Sequence, residues 1–220
     1  MAVKLALSFE EMLERLGRQG RLALLDTWKL YKEGYIARDT FIDVSATLLE
    51  HISDQSANYG RISYGAVMAQ TTGQPLPAPS AIGGNSRKAK IAQSIETIMD
   101  GETSDQSFRL GRLGYVVPME ETQQAYQIEL QRDTKVEGWQ RGLNSDACEL
   151  CRWWWREGRI WPKDHPMPTH KGCKCQQVPK YAERIQETGY TRTLRAQEYA
   201  REGQALQEQR RKIMQDRGLL

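Results

Sequence analysis

The sequence has no apolar run approaching the roughly 18 residues a membrane-spanning helix requires, so no membrane is expected among its partners. Its opening, MAVKLALSFEEM, reaches acidic residues after only a scrap of apolar sequence, which argues against a secretory leader. Charge of one sign is also missing. Lys and Arg number 31 and Asp and Glu 28, and the resulting +3 over 220 residues does not imply non-specific DNA binding. There is no internal repeat and no low-complexity segment. Hydrophobic residues make up 39% of the chain, enough for a core but not a large one, and the mean hydropathy is −0.68. Cysteine is scarce: there are four, all between 148 and 175. In a reducing cytoplasm, where this chain is expected to fold, clustered cysteines serve as metal ligands more readily than as disulfides.

Helical periodicity dominates the first two-thirds. SFEE at 8–11 reads as a capping box in which Ser8 and Glu11 satisfy each other's backbone amides. Phe9, Met12, Leu13 and Leu16, then Leu24, Leu25, Trp28 and Tyr31, form an apolar stripe. Gly17 and Gly20 predict a kink or break between them, and Gly34 a terminus. A second helix is predicted from Asp39 or Thr40, with Phe41, Ile42, Ser45, Leu48, Leu49 and Ile52 on one face, extended by Tyr59, Ile62, Ala66 and Val67. TTGQPLPAPSAIGG at 71–84 ends it as a linker or an arm laid over a neighbour. A third helix is expected at about 86–99, with Ile91, Ile95 and Ile98 on one face. Two more are expected at 104–113 and 118–132, the latter opening on Pro118. TKVEGWQRGL at 134–143 reads as a strand, with a partner at about 174–179. The charged tail carries a thin stripe of Leu194, Tyr199, Leu206 and Ile213, which suits a solvated helix or one docked on a partner subunit.

The stretch CELCRWWWREGRIWPKDHPMPTHKGCKC, 148–175, carries the chemistry. Besides every cysteine, it holds two of the three histidines and four of the six tryptophans. Cys148 and Cys151 form a Cys-x2-Cys knuckle, and Cys173 and Cys175 a second pair, with His170 three residues ahead. That makes five candidate ligands for the four positions of a structural zinc ion. The set expected first is Cys148, Cys151, Cys175 and either His170 or Cys173. In the alternative, both Cys173 and Cys175 bind and His170 stays outside the coordination sphere. Burial of the cysteines as small hydrophobes fits the paired spacing poorly, and no cysteine–histidine pairing resembles a nucleophile signature. Trp153, Trp154, Trp155 and Trp161 are expected to wall a small core around the metal rather than to stack bases together. Arg152, Arg156 and Lys171 are the candidates for nucleic-acid contact. Asp164-His165 superficially resembles part of an HNH nuclease, where a histidine activates water. Only seven residues separate His165 from Cys173, too few for the remaining strand and helix of such a site.

VEGWQRGLNSDACELCRWWWREGRIWP followed by HPMPTHKGCKCQQVP resembles the MuF-like family of phage minor head proteins. That family carries a strand ending in arginine, a small polar turn and Cys-x2-Cys. A loop containing Gly and Pro follows, then His-x2-Cys-x-Cys and a further strand. Arg141, Asp146, Cys148, Cys151, Gly158, Pro162, His170, Cys173 and Cys175 occupy those places, over 136–179. Gly172 and Lys174 depart from the residues more usual around the final cysteines. The resemblance implies a low-copy, non-enzymatic virion component. It would be bound near the portal inside the head and needed for head assembly or DNA delivery. The portal protein and the major capsid protein or other head proteins are the expected partners, with packaged DNA as a further candidate contact and the host cytoplasm as the place of synthesis.

The expected fold is therefore mainly α with a small zinc-stabilised antiparallel β-element, extended helices and a long helical C-terminal tail. It divides into an N-terminal helical region (1–70), a Pro/Gly linker or arm (71–85), a second helical region (86–133), the zinc-knuckle β-element (134–180) and the charged tail (181–220). The alternatives from other classes are a metal-dependent nuclease using His165 and a zinc-ribbon that binds nucleic acid through Arg152, Arg156 and Lys171.

Overall fold

The computed structural model describes residues 2–72, 87–101 and 103–180, together with isolated helical positions between 193 and 201. The arm beyond residue 72 and the stripe of the charged tail lie outside the described residues. The fold is mainly helical, with a small three-stranded antiparallel sheet. Helices α1 (Ala2–Lys32), α2 (Arg38–Thr72) and α4 (Gln106–Arg132) form the body, and α3 (Lys88–Met99) packs against one end of it. The other end carries strands β1 (Gly138–Gly142), β2 (Ile160–Pro162) and β3 (Gln176–Lys180), with the short helix α5 (Glu149–Trp155) between β1 and β2. Strand β1 is central in the order β2-β1-β3, pairing Trp139 with Trp161 on one side and with Pro179 on the other. Pro162 and Pro179 thus sit on edge strands, where a missing amide breaks no ladder.

Two apolar clusters hold the body. Leu24, Phe41, Leu49, Ile91, Ile95, Ile98 and Leu110 fill the end near α3, so helices from both sides of the 73–86 segment share one core. Phe9, Leu13, Tyr64, Met119, Tyr126 and Leu130 fill the other end and run on into Val136, Trp139, Trp161 and Met167 of the β-element. Burial of each large side chain in these clusters contributes roughly 1.5–3 kcal/mol, so the second cluster fastens the sheet to the helices.

Glycines set how closely the helices approach. A Cβ on Gly20 would come within 2.2 Å of the Gly114 carbonyl oxygen, and one on Gly114 within 2.4 Å of the Gly20 carbonyl. A Cβ on Gly60 would meet the Thr122 carbonyl at 2.2 Å. The backbones of α1 and α2 therefore cross α4 in direct contact. Gly17 and Gly20 do not break α1 as expected, because packing against α4 outweighs their propensity cost. The two helices expected at 104–113 and 118–132 are one helix with Pro118 inside it. Proline at 118 leaves the Gly114 carbonyl without its usual i+4 donor. That same oxygen is the atom a Cβ on Gly20 would strike, so the carbonyl freed by Pro118 faces the close approach of α1.

Other boundaries also shift. Helix α1 already runs through residue 8, so Ser8 and Glu11 lie within it and do not form a first-turn capping box. Gly34, at φ +79°, follows the end of α1 as expected. Leu48, Tyr59 and Ile62 fall on the outer face of α2 and are exposed, whereas Ser45 is buried and bonds the Thr27 hydroxyl at 2.8 Å. The strand expected from 134 starts at Gly138. Asp133 turns the chain first, accepting from the Lys135 amide at 2.9 Å through its side chain and from Val136 at 3.2 Å through its carbonyl. The partner strand begins at Gln176, and β2 was not anticipated because three residues carry no period.

Gly20→Ala is expected to lower stability by about 1–3 kcal/mol, the usual cost of overpacking a close contact. Gly34→Asn, at a left-handed position with open space around it, should change the melting temperature little. Thermal melts of the two variants beside the parent check the helix crossing.

Candidate metal centre

The two halves of the cysteine motif reach the centre by different local structures. Cys148 is the extended residue that opens α5, at φ −70° and ψ 169°, and Cys151 lies one helical turn on. Residues three apart on a helix share a face, so both thiols turn the same way. The second half is a β-turn closed by the Cys173 amide donating to the His170 carbonyl at 2.9 Å. Gly172 occupies its third position at φ +79°, where a side chain would strain the backbone. This is the physical reason for glycine at position 172.

All five predicted ligands are brought together. His170 Nε2 lies 3.3 Å from the Cys148 sulfur and 3.1 Å from that of Cys151, and Cys151 lies 3.7 Å from Cys173. The ligand atoms of Cys148, Cys151 and His170 fall within 4.8 Å of one another, as do those of Cys151, Cys173 and Cys175. Cys151 belongs to both groups, so the cluster could hold a metal ion. A tetrahedral site with metal–sulfur bonds near 2.3 Å and a metal–nitrogen bond near 2.0 Å places neighbouring ligand atoms about 3.6–3.8 Å apart. Cys151 and Cys173 already meet that spacing, and His170 need only move outward by a few tenths of an ångström. Cys175 differs: its thiol donates to the Asn144 side-chain oxygen at 3.0 Å. That bond makes Cys175 the candidate for the fifth residue, while its sulfur shares one group with Cys151 and Cys173 and the other group holds Cys148, Cys151 and His170. All four cysteines are free thiols.

Burial and crowding set the charge of the cluster. The Cys173 thiol is pushed down to about 5, first by its hydrogen bond with Cys175 and, against burial, by further bonds and the Arg141 charge. Cys151 is pushed up to about 12 by burial and by the negative charge of Cys173. Cys175 is raised as well, by its bond to Cys173 and by burial. Cys148 at the exposed edge is lowered too, first by a backbone hydrogen bond from Cys151, so the resistance to ionising falls on the buried Cys151 and Cys175. A coordinated divalent cation removes that conflict by holding several thiolates at once.

Around the cluster, residues distant in sequence hold the ligand-bearing turn. Gln123, on α4, donates its side-chain amide to the carbonyls of Cys173 at 2.8 Å and of Cys175 at 3.0 Å. Lys174, between those cysteines, points to the helical body and meets Glu10 and Glu14 of α1 at 3.4 Å each and Asp146 at 3.2 Å. Burial alone would lower the pKa of its ammonium group, but the Asp146 and Glu14 carboxylates raise it. Glu10 in turn accepts from the Ser145 amide and hydroxyl, both at 2.9 Å. Only position mattered to the sequence reading at Lys174, and nothing in the spacing of Gln123, Asn144 or Glu10 marked them.

The tryptophans divide their work. Only Trp154 packs against the cysteine cluster, its ring stacked at 6.4 Å on the His170 imidazole. Trp161 instead joins Trp139 in the core shared with the helices. Trp153 is 58% exposed and carries the Arg156 guanidinium over its ring at 4.0 Å. The expected four-tryptophan wall is therefore replaced by a division between two cores and the surface. His165 is buried and stacked on Trp161 at 4.5 Å, and its carbonyl accepts from the Trp139 indole at 2.9 Å. Burial lowers its pKa, with Asp164 opposing. The three candidate nucleic-acid residues are not gathered on one element. Arg152 bonds the Ala147 carbonyl at 3.1 Å, Arg156 sits at the left-handed end of α5, and Lys171 lines a groove of α4 with Arg109, Arg112 and Glu120. Among the described residues no helix is long and apolar enough to cross a membrane.

Titration with cobalt(II) separates the ligands. Cys175→Ser is expected to keep the affinity within about threefold, while Cys151→Ser should lose more than the ~10–100-fold typical of an outer partner. Equal losses in both variants would place Cys175 in the coordination sphere. Compared with protein-family models, with curated proteins and with solved structures, this chain matches nothing, so its function is argued from the centre and the fold around it.

Proposed function

We propose that this chain is a structural minor head protein of a tailed bacteriophage, of the MuF-like kind, whose cysteine–histidine cluster holds one structural zinc ion. The observation that carries the reading is the gathering of Cys148, Cys151, His170, Cys173 and Cys175 into two ligand groups that share Cys151, flanked by paired strands and docked on a helical body. The residues that carry the resemblance are those that build this centre. Three soft thiolates and an imidazole suit zinc, which prefers sulfur and nitrogen and closes its site with four protein ligands. Closed coordination leaves no position for substrate, which favours a structural role over a catalytic one. A zinc ion in such an element contributes on the order of 10 kcal/mol to its folding. The protein would sit near the portal inside the head, serving assembly or DNA delivery.

A second reading has one specific observation behind it. Trp153, exposed beneath the Arg156 guanidinium, offers the aromatic–cationic pair that single-stranded nucleic acid uses. This favours a zinc-ribbon nucleic-acid binder over the nuclease, whose proposed histidine is packed between rings in the core.

Quantitative mass spectrometry of purified virions tests the proposal. A fixed low ratio of this protein to the portal subunit, surviving nuclease treatment and washing, is expected. Absence from complete virions would overturn the head-component reading. Steeply salt-dependent affinity for single strands, lost in Trp153→Ala, would move the second reading to the front.

A further inference from the structure

Arg141 is the most deeply buried charged side chain beside the cluster. It lies on the central strand, 1% exposed, opposite Gln177 of β3. One terminal nitrogen donates to the Pro168 carbonyl. Its Nε and other terminal nitrogen find no hydrogen-bond partner, and among the described residues it forms no ion pair with a carboxylate. A buried guanidinium left in that state is costly, so a negative charge is missing from its surroundings. What does surround it belongs to the cysteine cluster. The guanidinium carbon sits 5.4 Å over the Trp154 ring, and that ring stacks in turn on His170.

We infer that Arg141 is a positioning residue whose guanidinium is the fixed counter-charge of an anionic metal–thiolate centre. The inference rests on the metal reading above and deepens it. A divalent ion with three thiolates and one neutral imidazole carries a net charge of −1, which a single guanidinium balances. Four thiolates would leave −2 beside one arginine. Charge balance thus favours His170 among the ligands and Cys175, whose thiol bonds Asn144, outside them. Lysine and arginine share charge but not shape, and methionine shares length but not charge, so the three residues separate electrostatics from packing.

The experiment is a cobalt(II) competition titration on the full chain, reading affinity and the visible spectrum of the bound ion. Arg141→Met is expected to weaken cobalt binding by about tenfold or more, and Arg141→Lys to recover most of that loss. In a Cys148→His background, where one thiolate becomes an imidazole at an exposed position, the Arg141→Met penalty should shrink to less than about threefold, as coupled charges require. Unchanged affinity in Arg141→Met overturns the inference, as does a lysine variant as weak as the methionine one together with an undiminished penalty in the Cys148→His background. Should Arg141→Met fail to fold, the double variant with Cys148→His is expected to recover a metal-loaded fold, and an equally unfolded double variant overturns the inference. A parent protein that takes up no cobalt would instead defeat the metal reading itself.

Discussion

Three other thiols and an imidazole gather around Cys151, and the buried Cys151 and Cys175 resist ionising beside the Cys173 thiolate, a conflict that a shared cation would resolve. The sheet has two strands of five residues and one of three, too little to stand alone in water. Its 21-residue loop from Arg152 to Gly172 must be closed against chain entropy. A cation held from both ends of that loop would act as the cross-link. It would tie the loop that joins β2 and β3 to the sheet, whose register places Trp139 and Trp161 in the core shared with the helices.

The connection to the helices is polar as well as apolar. Lys174 sits between two cysteines and reaches the carboxylates of α1, while Gln123 of α4 holds the carbonyls on either side of it. A change at the centre would therefore be felt by α1 and α4 directly, through groups one residue from the ligands. The helices cross at glycine contacts that leave little freedom to adjust, so the body behaves as a rigid platform. A rigid platform with a stapled β-element suits a protein that must keep its shape in an assembly.

How much of this the sequence disclosed depended on the range of the signal. Paired cysteines and a histidine at fixed spacing are a local pattern with a chemical meaning, and all five residues do converge. The Ile91, Ile95 and Ile98 face of α3 was equally legible from its period. Glycine and proline misled, because their local preference is to break helices while here the neighbouring helix determines their use. Gly20 and Pro118 meet around the Gly114 carbonyl, a contact between residues almost a hundred positions apart that no window reveals. Gln123, Asn144 and Glu10 were hidden for the same reason. Arg141 was visible as the end of a strand, but its unbalanced charge exists only once the fold buries it.

A bound ion with a mixed coordination sphere is the central claim. X-ray absorption at the metal edge of the native protein, with the metal content determined alongside, is the most direct measurement. The prediction is one zinc per chain, with three sulfur neighbours at about 2.3 Å and one nitrogen at about 2.0 Å. A protein that folds fully without stoichiometric metal would contradict the account, as would cysteines found paired as disulfides.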